Sequence, residues 1–264
     1  MTAPAQGPRA RAGQPSPGSG GTLGAWLDEA PFTLSLSSGF FGFFAHAGVL
    51  AALEDAGLRP RAFLGASAGA LVGALAAGGY SGTELGALLA SLRREEFWDP
   101  APGPGLLRGR RFRRRLEAAL PRATFEACAR PLRLSVYELR ARKTRVRSRG
   151  ALASAVQASC AVPGLFWPVR LDGRLHLDGG IRDRPGLAGA RPGERILHHH
   201  LESRSRRGQE AAPPPRRENL ELLAFPALPR VGPFRLEEGP RAFAAAHRYA
   251  TRALDAPRRS ARRP

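Results

Sequence analysis

The sequence predicts an α/β protein: a three-layer sandwich with a mostly parallel central sheet and a serine on a tight turn between a strand and a helix. Three observations carry this reading. Short apolar runs alternate with helix-forming stretches, the arrangement of crossover connections that lay helices on a parallel sheet. Gly65-Ala66-Ser67-Ala68-Gly69 follows the apolar Ala62-Phe63-Leu64 and precedes the helix-forming Ala70-Leu71-Val72-Gly73-Ala74-Leu75, the layout of a nucleophile elbow. The length of 264 residues, 43% of them hydrophobic, suits one large α/β domain with a sizeable core.

Residues 1–30 are mostly Pro, Gly, Ala, Ser and Arg with no apolar leader segment, so they read as a disordered low-complexity tail ahead of a domain at 31–255. Thr33-Leu34-Ser35-Leu36-Ser37 alternates and predicts the first strand. A helix is expected over 44–56, with Val49, Leu50 and Leu53 on one face and Gly57 as its C-cap. Residues 62–64 form a second strand, and 68–77 the helix after the elbow, stopped by Gly78-Gly79. A further helix is expected over 82–94 on its Leu85, Leu88, Leu89 and Leu92 stripe. The Pro- and Gly-rich 98–109 reads as a loop, and 110–120 as a very basic helix. Strands at 132–139 and 144–147 come next, and a short helix at 151–158. Asp172-Gly173 between 169–171 and 174–177 is a strong hairpin signal. Late strands are expected at 196–200 and 220–225, separated by a polar loop over 202–217. A last helix over 239–254 precedes a basic tail at 256–264.

The elbow needs glycines because the turn brings backbone onto backbone, where a Cβ would clash. The pentapeptide by itself is weak, since glycine and serine usage alone yields about 0.2 chance matches in such a chain. Two further features strengthen it. Upstream, Ser38-Gly39-Phe40-Phe41-Gly42-Phe43 joins the first strand to the first helix, and such a turn can aim successive N–H groups at one point, as an oxyanion hole requires. Downstream, Asp178-Gly179-Gly180 puts a carboxylate at a strand end beside two glycines that permit close approach.

At these residues, and in the stretch Ala158-Ser159-Cys160-Ala161-Val162-Pro163-Gly164-Leu165-Phe166-Trp167-Pro168-Val169 leading to Asp178, the chain resembles the patatin-like phospholipase family over about 34–186. The resemblance implies Ser67 as nucleophile and Asp178 as its general base in a Ser–Asp dyad. Gly39, Phe40 and Phe41 match the oxyanion loop; Gly65, Gly69, Gly42, Gly179 and Gly180 support the motifs. That family usually has three glycines and a basic residue in this loop, where this chain carries phenylalanines. The implied activity is serine acyl hydrolysis of lipid esters, phospholipase A-like or lysophospholipase-like, with no cofactor. An acyltransferase on the same dyad, and an inactive scaffold that binds lipid or protein, are the alternatives.

The net charge of +19 is almost all arginine, with Lys143 the only lysine. Such a surface attracts phosphates, and peripheral contact with an anionic membrane is expected, with 108–115 as a membrane contact, a lid or a solvated helix face. No nucleic-acid-binding module is recognisable, so no specific nucleic-acid partner is expected. Cys128 and Cys160 form no disulfide framework, and His198, His199 and His200 alternate faces without other ligands, so no metal is expected. His46 and His176 read as structural. A cytoplasmic location, with peripheral membrane association, fits a chain showing no signal peptide or membrane span.

Overall fold

The computed structural model describes residues 21–202, 217, 219–225 and 228–258. Along them run α1 (Leu23–Asp28), β1 (Thr33–Leu36), α2 (Phe43–Asp55), β2 (Ala62–Gly65), α3 (Ala68–Gly78) and α4 (Gly82–Ala90). Next come β3 (Gly105–Leu107), α5 (Arg110–Ala119), β4 (Leu132–Glu138), β5 (Lys143–Arg147), α6 (Leu152–Ser159) and β6 (Gly164–Phe166). The described part ends with β7 (Val169–Leu171), β8 (Arg174–Asp178), β9 (Ile196–His200), β10 (Leu220–Ala224) and α7 (Gly239–Asp255).

β10, β9, β1, β2 and β4 lie side by side and parallel. The sheet then turns antiparallel around β4. β5 pairs with Leu134 to Glu138 along one edge of β4. The other edge is shared, because a strand has only two: β2 runs parallel along Leu132 to Leu134, and β8 runs antiparallel along Val136 to Glu138. β2 and β8 therefore meet head to head, with Gly65 opposite Leu134 and Asp178 opposite Val136. Two residues of β4 separate their ends, about 7 Å. The hairpin expected at Asp172-Gly173 joins β7 to β8, with φ of 47° and 76° at the two turn residues.

Alternation sorts the side chains by face. Leu34, Leu36, Phe63, Leu132 and Leu134 point into the main core against the helices. α3 packs across β1, β2 and β4, α6 across β4 and β8, and α2 is buried from Phe43 to Leu53 among α3, α4 and α7. The opposite face is covered, among the described residues, by the irregular segment 179–195. Leu187 packs on Leu64 and Ile196, Glu194 accepts from the Thr33 hydroxyl at 2.6 Å and pairs with Arg133, and Asp183 accepts from Ser135. The third layer is thus built largely without regular helix.

Three readings of the sequence are corrected. The tail assigned to 1–30 stops earlier: Leu23–Asp28 is a helix whose Leu23, Trp26 and Leu27 are buried, capped by Thr22. Its signal was masked because six residues carry too little periodicity, and because the guanidiniums that cover Trp26 come from distant Arg195 and Arg258, 3.9 and 5.0 Å from the ring. The loop assigned to 98–109 contains β3, which pairs parallel with β6, also not foreseen. Helix α4 ends at Ala90, four residues short, and a separate turn forms over Arg94–Glu96. The tail over 1–20, the polar loop over 203–216 and the last six residues lie outside the described residues.

Candidate active site

Ser67 stands at the N-terminus of α3 with φ 53° and ψ −118°, a conformation that costs a non-glycine residue roughly 1–3 kcal/mol. Close packing enforces it. A Cβ on Gly65 would lie 2.5 Å from the Gly69 carbonyl carbon, and one on Gly69 would overlap the Leu36 carbonyl oxygen. In both cases the obstacle is backbone, which cannot swing aside. The Ser67 N–H donates to Ser159 Oγ at 2.9 Å, and the Ser159 hydroxyl donates onward to the Ser135 carbonyl at 2.8 Å. The Cys160 thiol donates to the Ser67 carbonyl at 3.2 Å, and burial together with the nearby Asp178 charge pushes that thiol's pKa well up.

Asp178 ends β8 and is buried. Its Oδ1 accepts the Gly180 N–H at 2.7 Å. Oδ2 is buried and meets no donor at full hydrogen-bond geometry, yet the Ser67 hydroxyl lies close enough to act on the carboxyl. Burial raises the carboxyl from its ordinary 3.8 to about 6, against the lowering pull of Ser67 and the Gly180 N–H. The two glycines after Asp178 allow this approach. A Cβ on Gly179 would strike the Ser135 carbonyl, and one on Gly180 would lie 2.6 Å from Ser38 Cβ. The head-to-head meeting of β2 and β8 thus brings together two side chains more than a hundred residues apart in sequence.

The loop between β1 and α2 faces the same point. Phe41 has φ 54°, the left-handed conformation a glycine would occupy at no cost. The N–H groups of Gly39, Phe40 and Phe41 have no acceptor among the described residues, whereas Gly42 N–H closes the turn onto Gly39 at 3.1 Å. Gly39 and Gly42 leave room for the Leu201 side chain, which can shift, so their glycine requirement is softer than that of Gly65 and Gly69.

The loop is anchored from behind by Ser37, His199 and Leu201, which sequence reasoning did not assign to it, and by His46, which it read as structural. Ser37 donates its N–H to the His199 carbonyl at 3.2 Å, and its hydroxyl oxygen accepts from Leu201 N–H at 2.8 Å. Its carbonyl lies 2.8 Å from His46 Nε2, which must therefore carry the proton. His46 Nδ1 then accepts from His199 Nδ1 at 2.8 Å. Burial keeps both rings neutral, lowering His46 to about 4 and His199 well below its ordinary value. No local motif could reveal this pair, because it joins α2 to β9. Ser159 was visible only as part of the block before Asp178. His176 bonds the Arg174 carbonyl at 3.0 Å instead of entering the site, and His198 lies 3.1 Å from Ser35 Oγ.

Beside Ser67 a cavity of about 130 Å³ opens, with walls that are almost wholly apolar. Gly39, Phe40, Phe41, Ala68 and Cys160 form the end nearest the serine. Leucines from α3 and α4, Phe112 and Leu116 of α5, and Leu165 and Phe166 of β6 form much of the rest, with Trp98 and Pro233 among the others. Arg115 is the one charged residue on this wall, and its Nε lies 3.3 Å from Glu96.

A strained serine, a buried carboxyl beside it, N–H groups without an acceptor among the described residues and an adjoining apolar cavity lie together at this point. The chain belongs to the patatin-like phospholipase family, a class of ester-hydrolysing enzymes, whose sequence pattern matches residues 34–191. It is 33% identical over 154 residues to uncharacterized NTE family proteins of Mycobacterium tuberculosis and Mycobacterium bovis, a stretch covering 57% of this chain and 42% of theirs. The chain thus spans less than half the length of these curated relatives. Among solved structures it resembles VipD from Legionella pneumophila, with a TM-score of 0.63 over 85% of this chain and 67% of that one, at 16% identity. That likeness establishes the shared α/β fold. No helix among the described residues is long and apolar enough to cross a membrane.

Proposed function

We propose that this chain is a serine acyl hydrolase of lipid esters, of phospholipase A or lysophospholipase type, working through a Ser67–Asp178 dyad. The observation that carries the reading is the burial of Asp178 beside the Ser67 hydroxyl, at the end of an apolar cavity of about 130 Å³. A carboxylate with a pKa near 6 is a far better base than one at 3.8, and above about pH 6 it is mostly ionised.

Asp178 accepts the Ser67 proton as Ser67 Oγ attacks the ester carbonyl carbon. The N–H groups of Gly39, Phe40 and Phe41 stabilise the oxyanion. Collapse breaks the ester C–O bond, and the Asp178 proton passes to the departing alkoxide, leaving an acyl-Ser67 ester. Water, deprotonated by Asp178, attacks that ester; its collapse releases the fatty acid and restores the Ser67 hydroxyl. The anchored Ser37 and the Ser159 bond to Ser67 N–H hold the donors and the nucleophile in register for both halves. An anionic membrane surface is the proposed source of substrate.

Labelling with a fluorophosphonate probe, followed by turnover of a panel of phospholipids and lysophospholipids, tests this reading. Wild type should be modified at Ser67 and release fatty acid; Ser67→Ala should do neither. Labelling of an intact Ser67→Ala variant, or a folded wild type that resists the probe, would overturn the dyad. Product analysis with added alcohols separates hydrolysis from acyl transfer.

A further inference from the structure

The rim of the apolar cavity has features that cleaving one soluble ester does not need. Phe40 is 60% exposed and Phe234 65%. The Phe234 ring stands edge-on to Trp98, centroids 5.4 Å apart, and Trp98, Phe40 and Pro233 all line the cavity. Exposed Phe40 thus lines the cavity, and exposed Phe234 lies against the half-buried Trp98 of its wall. Arg94 places its guanidinium 5.0 Å above the Phe234 ring. Arg111 donates to the Trp98 carbonyl at 3.3 Å and the Glu95 carbonyl at 3.0 Å. The Asp99 carboxylate accepts the N–H groups of Gly109, Arg110 and Arg111 at 2.7–3.1 Å, which fixes the start of α5 to the segment carrying Trp98. α5 then has two sides. Phe112 and Leu116 enter the cavity wall, whereas Arg110, Arg113 and Arg114 edge an open groove beside Gln157. From Arg93 to Glu117 there are eight arginines against four carboxylates.

We propose that this rim docks on a lipid bilayer rich in anionic headgroups: Phe40, Trp98 and Phe234 enter the headgroup–acyl boundary, and Arg94, Arg111 and the outer arginines of α5 pair with phosphates. The proposal rests on the reading of the cavity as an acyl-chain site. Two features together select this partner. Arginine excess favours a dense anionic surface over a neutral protein, and exposed apolar rings beside an apolar cavity favour a bilayer over nucleic acid. Docked this way, the cavity mouth opens directly onto acyl chains.

The test is flotation of the full chain with vesicles of phosphatidylcholine alone or mixed with phosphatidylglycerol. Wild type should float with the mixed vesicles, lose binding as salt is raised, and bind phosphatidylcholine weakly. An Arg94→Glu/Phe234→Ser variant should bind mixed vesicles at least about 25-fold more weakly, since each unit of charge near such a surface is worth about fivefold. Arg110→Glu/Arg114→Glu, on the exposed side of α5, gives an independent reading should the first variant misfold. Equal binding to both vesicle types, undiminished binding by both folded variants, or binding to single-stranded nucleic acid in place of vesicles would overturn the proposal. Turnover of a soluble short-chain ester by wild type reports separately on the hydrolase reading. Turnover without flotation removes the docking surface alone; flotation without turnover removes the chemistry alone.

Discussion

Asp178→Asn should both abolish ester turnover and stabilise the fold, and the two effects have one cause. Burial raises the Asp178 carboxyl from 3.8 to about 6. Below pH 3.8 the carboxyl is protonated in both the folded and unfolded chain, and ionisation costs nothing. Between 3.8 and 6 the unfolded chain releases the proton first, so the folded state loses stability as pH rises. Above about pH 6 the full cost is in place, about 3 kcal/mol from the difference between the two values. Asparagine keeps an oxygen for the Gly180 N–H and never ionises. The variant should therefore melt at the same temperature as wild type near pH 3.5. The gap should widen through the window from 3.8 to 6 and level off above about pH 7, at several degrees for a domain of this size. The assay is thermal unfolding followed by circular dichroism across that range, beside kcat/KM for a soluble ester. For wild type, kcat/KM should rise about tenfold from pH 5 to pH 7 with one ionisation near 6. A melting gap that is flat with pH, or that narrows as pH rises, would refute the desolvated carboxylate, and with it the argument for Asp178 as base.

Gly69→Ala drives a methyl into the Leu36 carbonyl oxygen, a backbone clash worth about 3 kcal/mol or more; a variant melting like wild type would contradict the tight elbow. Ser159→Ala leaves the Ser67 N–H without its acceptor, which should cost about 1–3 kcal/mol and slow fluorophosphonate labelling at least about tenfold; unchanged labelling would show that the elbow holds Ser67 unaided. The buried histidines act oppositely to Asp178. His46 stays neutral to about 4 and His198 to about 3, so the unfolded chain takes protons first; their contribution is complete above about pH 6.5 and declines as pH falls. Urea midpoints in the Asp178→Asn background, where the carboxyl no longer titrates, should record this decline, about 3 kcal/mol for His46 alone. His46→Gln should shrink it by about that amount, and an equal decline with and without the substitution would reject the assignment.

Strand and helix positions near the site were legible because local signals agree there. The apolar run before Ser67, the glycines flanking it and the alanine-rich run after it all specify strand, turn and helix. The Asp172-Gly173 hairpin carries Asp178 with it. What was not legible depends on partners distant in the chain. Trp26 is covered by Arg195 and Arg258 and joins the main core, and β3 pairs with β6, all partners far off in the chain. The His46–His199 pair behind the β1–α2 loop needs α2 and β9 to be adjacent, which no periodicity encodes. The phenylalanines that replace glycine in that loop looked hostile to the required backbone. Phe41 nevertheless takes φ 54°, with its ring packed on Phe40, Phe43 and Phe97 at 4.9–5.9 Å.

The meeting of β2 and β8 end to end along one edge of β4 has a thermal corollary. The carboxylate rides on the short β7–β8 hairpin, which pairs with β4 from Val136 to Glu138 and packs against α6, whereas the serine is embedded in the main core. Fraying of that hairpin would carry Asp178 off while the elbow stays packed. Chemistry in this molecule should then fail on warming before the fold does, as a clasp opens before the strap tears.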